Sequence, residues 1–206
     1  MPSERVGDIQ DLTLLDRFSA GDAEAFAQLL RRYERPIYNF LLRSVRDRSA
    51  AEDLSQEVFM RVITGAEGFN RQSKFSTWLY TIARHACIDH SRKMKHRRHA
   101  SLDGQGPETD DGPGSRLVDR IANNAPSVER SADSEQMRER IARAVEALPE
   151  EQREVFLMRQ VENLPFAEIA LICGVPENTV KSRMRYALER LQDTLGDYQE
   201  YAQALG

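Results

Sequence analysis

The sequence predicts an all-α protein: two small helical domains joined by a flexible acidic linker, with the C-terminal domain a helix-turn-helix. Three observations carry this. Apolar residues recur at intervals of three and four through most of the chain, the spacing that gathers them on one face of a helix. Between Ser101 and Asp133 that spacing gives way to glycine, proline and acids. From Leu164 to Leu195, two apolar stripes flank the single glycine Gly174. The boundaries that follow are 11–98 for the first domain, 99–133 for the linker and 134–200 for the second domain.

Composition narrows the function classes. The 206 residues suffice for one or two domains with real cores, and 40% hydrophobic with 30% charged residues fits a soluble globular chain. A net charge of −4 argues against a surface that coats nucleic acid throughout, yet it leaves room for charge segregated along the chain. Cys87 and Cys173 both fall in apolar helical stripes, so buried free thiols are expected rather than a disulfide or a metal site. The polar first ten residues carry no signal-peptide core, and no apolar run approaches the roughly 20 residues of a membrane span, so the cytoplasm is the expected location.

The first domain reads in order. Leu12, Leu15 and Phe18 space a short helix over 11–18. Asp22 is placed to accept bonds from the free amides of the next helix, whose stripe is Ala25, Phe26, Leu29, Leu30 and Tyr33. Pro36 should kink or divide that helix. Ser49 with Glu52 forms a capping-box pattern opening a helix through about Ile63, with Leu54, Val58 and Val62 inward and Asp53, Gln56, Glu57 and Met60 on other sides. Taken alone, such exposed carboxylates mean solubility. A loop over 65–73 leads to a long helix capped by Ser73 or Ser76 and running to about Lys93, with Phe75, Leu79, Ile82, Ala83 and Ala86 inward. Its end is basic: Arg92, Lys93, Lys95, Arg97 and Arg98. The histidines there, His85, His90, His96 and His99, match no zinc-ligand spacing and are expected to face water or a polyanion.

The second domain opens at Ser134 with Met137, Ile141, Ala144, Val145 and Leu148 on one face, then Pro149, Glu150 and Glu151 at the start of a further helix. A helix from Phe166 to Cys173 should stop at Gly174, and a second should open near Glu177 with Val180, Met184, Ala187, Leu188, Leu191 and Leu195 as its stripe. On its other side Asn178, Lys181, Ser182 and Arg185 share one face, flanked by Arg183 and Arg190. A helix fits the major groove, where its N-terminal half meets base edges and its cations meet phosphates.

The order of motifs resembles one family. Gly21-Asp22-Ala23-Glu24-Ala25-Phe26, then Ala51 through Phe59, then Lys74 through Arg84, then Leu148-Pro149 with Arg153 through Phe156, then Glu168-Ile169-Ala170 with Thr179 through Arg183, follow the pattern of extracytoplasmic-function (ECF) sigma factors over about residues 11–195. The resemblance implies a sigma subunit that binds core RNA polymerase and directs promoter-specific initiation. It implies that Asp53, Gln56, Glu57 and Phe59 dock on the clamp helices of the largest subunit. It implies that Asn70, Arg71, Lys74, Ser76, Trp78 and Arg84 serve the −10 element and its unpaired strand, whose bases need stacking surfaces and cationic backbone contacts; taken by itself, Trp78 reads as a core residue. It implies that Asn178, Thr179, Lys181, Ser182, Arg183 and Arg185 read the −35 element. An anti-sigma factor is a further partner class that it raises. The chain departs from the pattern at Pro165, where a capping serine or threonine is usual, and at Asn178, where glycine is common.

A stand-alone helix-turn-helix regulator would account for residues 134–195 and leave the N-terminal blocks unexplained. Glycine-rich phosphate loops, nucleophile motifs and metal-ligand sets are not seen in the sequence, so no catalytic residue, metal or cofactor is expected.

Overall fold

The computed structural model describes residues 2–102 and 132–204, with side chains described from 9 to 97 and, Arg138 excepted, from 137 to 196. The expected acidic linker falls largely outside the described residues. Among those described, every regular element is a helix: α1 (Pro2–Ser19), α2 (Ala23–Val45), α3 (Arg48–Gly65), α4 (Phe75–Leu102), α5 (Ala132–Ala147), α6 (Glu150–Gln160), α7 (Phe166–Cys173) and α8 (Glu177–Ala204).

The chain forms two compact units. The first holds α1 to α4 together with residues 167–174, and the second holds α5, α6 and α8. Residues 167–174, read from sequence with the second domain, thus group with the first unit.

In the first unit α2 packs on α1, α3 and α4. Leu15, Leu29, Ile37, Phe40, Leu41, Val58, Val62, Phe75 and Leu79 are buried between these helices. Phe40 meets Tyr80 edge-on, with ring centroids 5.5 Å apart. Asp11 of α1 is only 2% exposed, and it accepts hydrogen bonds from Arg32 and the Tyr33 hydroxyl of α2. A carboxylate this far from water is tolerable only with such partners.

Several boundaries differ from the sequence reading, each for a local reason. α1 begins at Pro2, since proline suits a first helical position. α2 runs undivided through Pro36: packing around Ile37, Phe40 and Leu41 holds the helix although one backbone donor is missing. The cap of α3 is Asp47, whose carboxylate accepts from the Ala50 amide at 2.9 Å; Ser49 already lies inside the helix. Glu52 does not reach back for a capping box but pairs with Arg48 at 2.9 Å. Neither Ser73 nor Ser76 stands at the cap position of α4, because Lys74 immediately precedes the helix and Ser76 lies within its first turn; the Ser73 hydroxyl donates to the Asn70 carbonyl. α4 continues past Lys93 to Leu102, as its basic residues are good helix formers.

The Asp22 cap is as expected, accepting from the amides of Glu24 and Ala25, and it also takes two hydrogen bonds from Arg17. The Arg17 hydrogen bonds, then those of the helix amides, hold its carboxyl below the usual carboxylate range. A depressed folded-state pKa contributes stability above the unfolded value and loses it as pH falls through the folded one. Asp22→Asn keeps a capping oxygen but loses the charge. Its melting temperature is therefore expected below wild type at pH 7, and the gap should close as pH falls below about 4. Parallel melting curves with a constant gap across that range would remove the charge from the account.

In the second unit α8 packs on both α5 and α6. Ala144, Leu148, Ala187 and Leu191 form the core, with Val145, Phe156 and Leu195 against it. Leu188 is not part of that stripe and is 45% exposed, since it lies one helical step beyond Ala187 toward the outer face.

Candidate protein and nucleic-acid interfaces

The first candidate surface is the outer face of α3. Leu54, Val58 and Val62 are buried, which fixes the helix's rotation and turns Asp53, Gln56 and Met60 fully outward. Glu57 is half-buried and pairs with Arg61 at 2.5 Å. Phe59 faces the core at 8% exposure, so it supports this helix from behind. Met60, 57% exposed, and Ile63, 38% exposed, add apolar area to a face otherwise read as polar. The sequence reading already sets Met60 off the inward face and assigns Ile63, ten residues from Asp53, to neither face.

The second surface is the segment from Gly65 to Arg84. Asn70 and Arg71 are exposed in the connection between α3 and α4. The Asn70 side chain accepts from the Gln72 amide at 3.0 Å and so shapes its own turn. Arg71 pairs with Asp16 at 2.6 Å. Lys74, Ser76 and Arg84 are partly exposed on or beside α4. Lys74 meets the Glu168 carboxylate at 2.6 Å. Trp78 is half-buried, with its ring 4.7 Å from Phe69 and 6.0 Å from Phe75. A Cβ on Gly65 would stand 3.1 Å from the indole, so the absence of a side chain there is what seats the ring.

The third surface is on α8. Gly174 ends α7 in the left-handed conformation at φ 67°, where a residue with a Cβ is strained. Pro176 accepts from the Thr179 amide at 2.9 Å and opens α8. Val180, Met184, Ala187 and Leu191 are buried, so Asn178, Lys181, Ser182 and Arg185 emerge together on the exposed side. Lys181 pairs with Glu177 at 2.7 Å, and Arg185 lies near Glu189 and over the Tyr186 ring. Exposed pairs of this kind contribute little to stability. Thr179 is half-buried, and Arg183 is drawn inward to Glu151 of α6 at 2.6 Å, with a side chain only 19% exposed. Arg183 thereby braces α8 on α6. Tyr186 is exposed beside this face and escaped the sequence reading.

Among the described residues no group of three or more histidine, cysteine or acidic side chains is placed to hold a metal ion. Cys87 and Cys173 form no disulfide, the first being partly buried and the second buried. No helix among the described residues is long and apolar enough to cross a membrane.

Comparison with known proteins matches residues 29–98 to Sigma-70 region 2 and residues 138–191 to Sigma-70 region 4. The chain is 31% identical over 177 residues to the ECF RNA polymerase sigma factor SigW of Bacillus subtilis, covering 86% of this chain and 92% of that one. It is 30% identical over 185 residues to the ECF RNA polymerase sigma-E factor of Escherichia coli, covering 90% and 94% respectively. Two solved structures share the fold. The sigma factor RpoE of Bartonella quintana, in complex with the anti-sigma factor NepR, matches with a TM-score of 0.63 at 24% identity over 84% of this chain and 98% of that one. CnrH, in complex with the cytosolic domain of CnrY, matches with a TM-score of 0.65 at 18% identity over 91% and 98%.

Proposed function

Because the chain belongs to the ECF sigma factors, the subunits that direct promoter-specific initiation by bacterial RNA polymerase, we propose a division of that labour among its three surfaces. Residues 11–98 form the part that docks on the polymerase and handles the −10 element. Residues 134–200 form the part that reads the −35 element, and 99–133 link the two. The observation that carries this reading is that the outward faces of α3 and α8 fall inside the two matched regions.

Asp53, Gln56, Glu57 and Met60 take the clamp helices of the largest subunit, with Phe59 holding their helix in place. Asn70, Arg71, Lys74, Ser76 and Arg84 take the backbone and unpaired bases of the −10 element. Trp78 acts mainly by positioning Phe69 and its loop, because its ring is already packed against two others. Asn178, Lys181, Ser182 and Arg185 enter the major groove at −35. Thr179 and Arg183 orient the helix from its flank.

The chain contributes no bond chemistry of its own; the polymerase supplies that, and the cytoplasm is where the two meet. An anti-sigma factor is the further partner in this reading. One structural neighbour, RpoE of Bartonella quintana, was solved with an anti-sigma factor, and exposed Tyr186 and Leu188 offer apolar anchors.

Run-off transcription with core polymerase tests the whole. Added chain should yield discrete promoter-dependent transcripts, and a failure across a genomic promoter library would sink the reading. At −35, Arg185→Ala and Lys181→Ala are each expected to weaken binding of fragment 134–206 to its promoter half-site. A base contact costs about 1–3 kcal/mol and depends on sequence, whereas a phosphate contact lowers affinity evenly. Unchanged binding by both variants would move the reading face elsewhere on α8.

A further inference from the structure

We propose that Glu168 is an internal stand-in for a nucleic-acid phosphate: in the free chain its carboxylate fills the anion subsite at the start of α4, which the −10 strand must then take from it. The inference rests on the −10 role given to Lys74 above.

The subsite is built from α4 itself. Lys74 immediately precedes the helix and Thr77 lies in its first turn, while no acidic residue occupies that turn. The free amides of a helix start favour an anion, and a lysine beside them adds a full charge. In this structure the place is taken. Glu168 Oε1 lies 2.6 Å from Lys74 Nζ, and Glu168 Oε2 accepts from the buried Thr77 hydroxyl at 3.3 Å. The glutamate is 8% exposed, the only acid besides Asp11 among the described residues to be so buried.

The two buried acids differ in a telling way. Asp11 is held by an arginine and a tyrosine of α2, none of them among the proposed DNA contacts. Glu168 is held by a lysine that the strand requires. A side chain serving only to fasten α7 would not need that cation. Glu168 also sits in the first turn of its own helix, so a released carboxylate still has a favourable helix dipole to face. Carboxylate and phosphate ask for the same donors, so occupation by one excludes the other.

The test uses the full chain and a fluorescent single-stranded DNA 12-mer of mixed sequence, with anisotropy read across a salt series. Glu168→Gln keeps the size and the hydrogen-bonding oxygen but removes the carboxylate that Lys74 faces. It should bind several-fold more tightly at low salt, with a log–log salt slope steeper by about 0.7, the contribution of one lysine on a single strand. Adding Lys74→Ala to Glu168→Gln should cancel both gains. If Glu168→Gln changes neither affinity nor slope while Lys74→Ala still weakens binding in that background, the stand-in is overturned and the −10 role of Lys74 survives. If Lys74→Ala has no effect in either background, the −10 role itself fails and the stand-in with it. Hydrogen exchange on the wild-type chain gives a readout independent of whether the variants fold. Saturating 12-mer should speed amide exchange across 167–174, and unchanged exchange with the strand bound would also overturn the proposal.

Discussion

Reversing charge at Asp53 and Glu57 together, as Asp53→Lys with Glu57→Lys, is expected to abolish association with core polymerase and to leave the fold intact. Both residues project from α3 while Leu54, Val58 and Val62 hold it from the other side. The folded chain loses little. Asp53 is exposed, and the Glu57–Arg61 pair is about 40% exposed on each side chain, so breaking it costs only tenths of a kcal/mol. At the proposed interface the expected loss is far larger, because each reversal would set like charges together across the contact, and such juxtaposition costs several kcal/mol. At about 1.4 kcal/mol per tenfold, two reversals carry binding beyond detection. Circular dichroism and a melting curve check the fold, and size-exclusion with core enzyme checks association. A folded double variant that co-elutes normally would place the docking surface off α3. Met60→Ala should give a smaller loss of the same kind, through apolar area alone.

Phe40→Ala is expected to destabilise the first unit by about 3–5 kcal/mol, a large share of the roughly 5–15 kcal/mol that holds a domain together. The ring is 1% exposed and meets Tyr80 at an interplanar angle of 84°, so truncation removes both buried area and an edge-to-face contact. Trp78 is the chain's single tryptophan and lies in the first unit, so its fluorescence reports on that unit alone. In urea the Trp78 transition should move to much lower concentration. An unmoved fluorescence transition would take Phe40 out of the core.

Helix existence was legible because the apolar stripes are long and regular. Ala25, Leu29, Leu54, Val58, Leu79, Val180 and Met184 are all buried where periodicity put them. Caps were harder. Asp47 and Ser49 are both good capping residues two positions apart, and only the backbone decides between them. Leu188 shows the limit of a stripe: it lies one helical step from Ala187, and near the edge of a face burial is set by what packs there rather than by spacing. The exposed face of α8 was legible for the opposite reason, since a run of polar side chains opposite a clean stripe has only one place to go. Arg183 and Glu168 were not legible. Their partners, Glu151 and Lys74, are 32 and 94 residues away in sequence, and pairings at such distances leave no local trace.

Gly65 and Trp78 are one evolutionary choice rather than two. The indole lies 3.1 Å from where a side chain at 65 would begin, so neither position drifts freely while the other stands. The order of change matters. A smaller ring at 78 first opens the space that makes alanine at 65 acceptable, whereas alanine first requires an indole already packed against Phe69 to give by a few tenths of an ångström. Descendants of this chain can therefore retune that loop more readily along one mutational path than along its reverse. History, as well as selection on the promoter, then enters into which loops such chains come to carry.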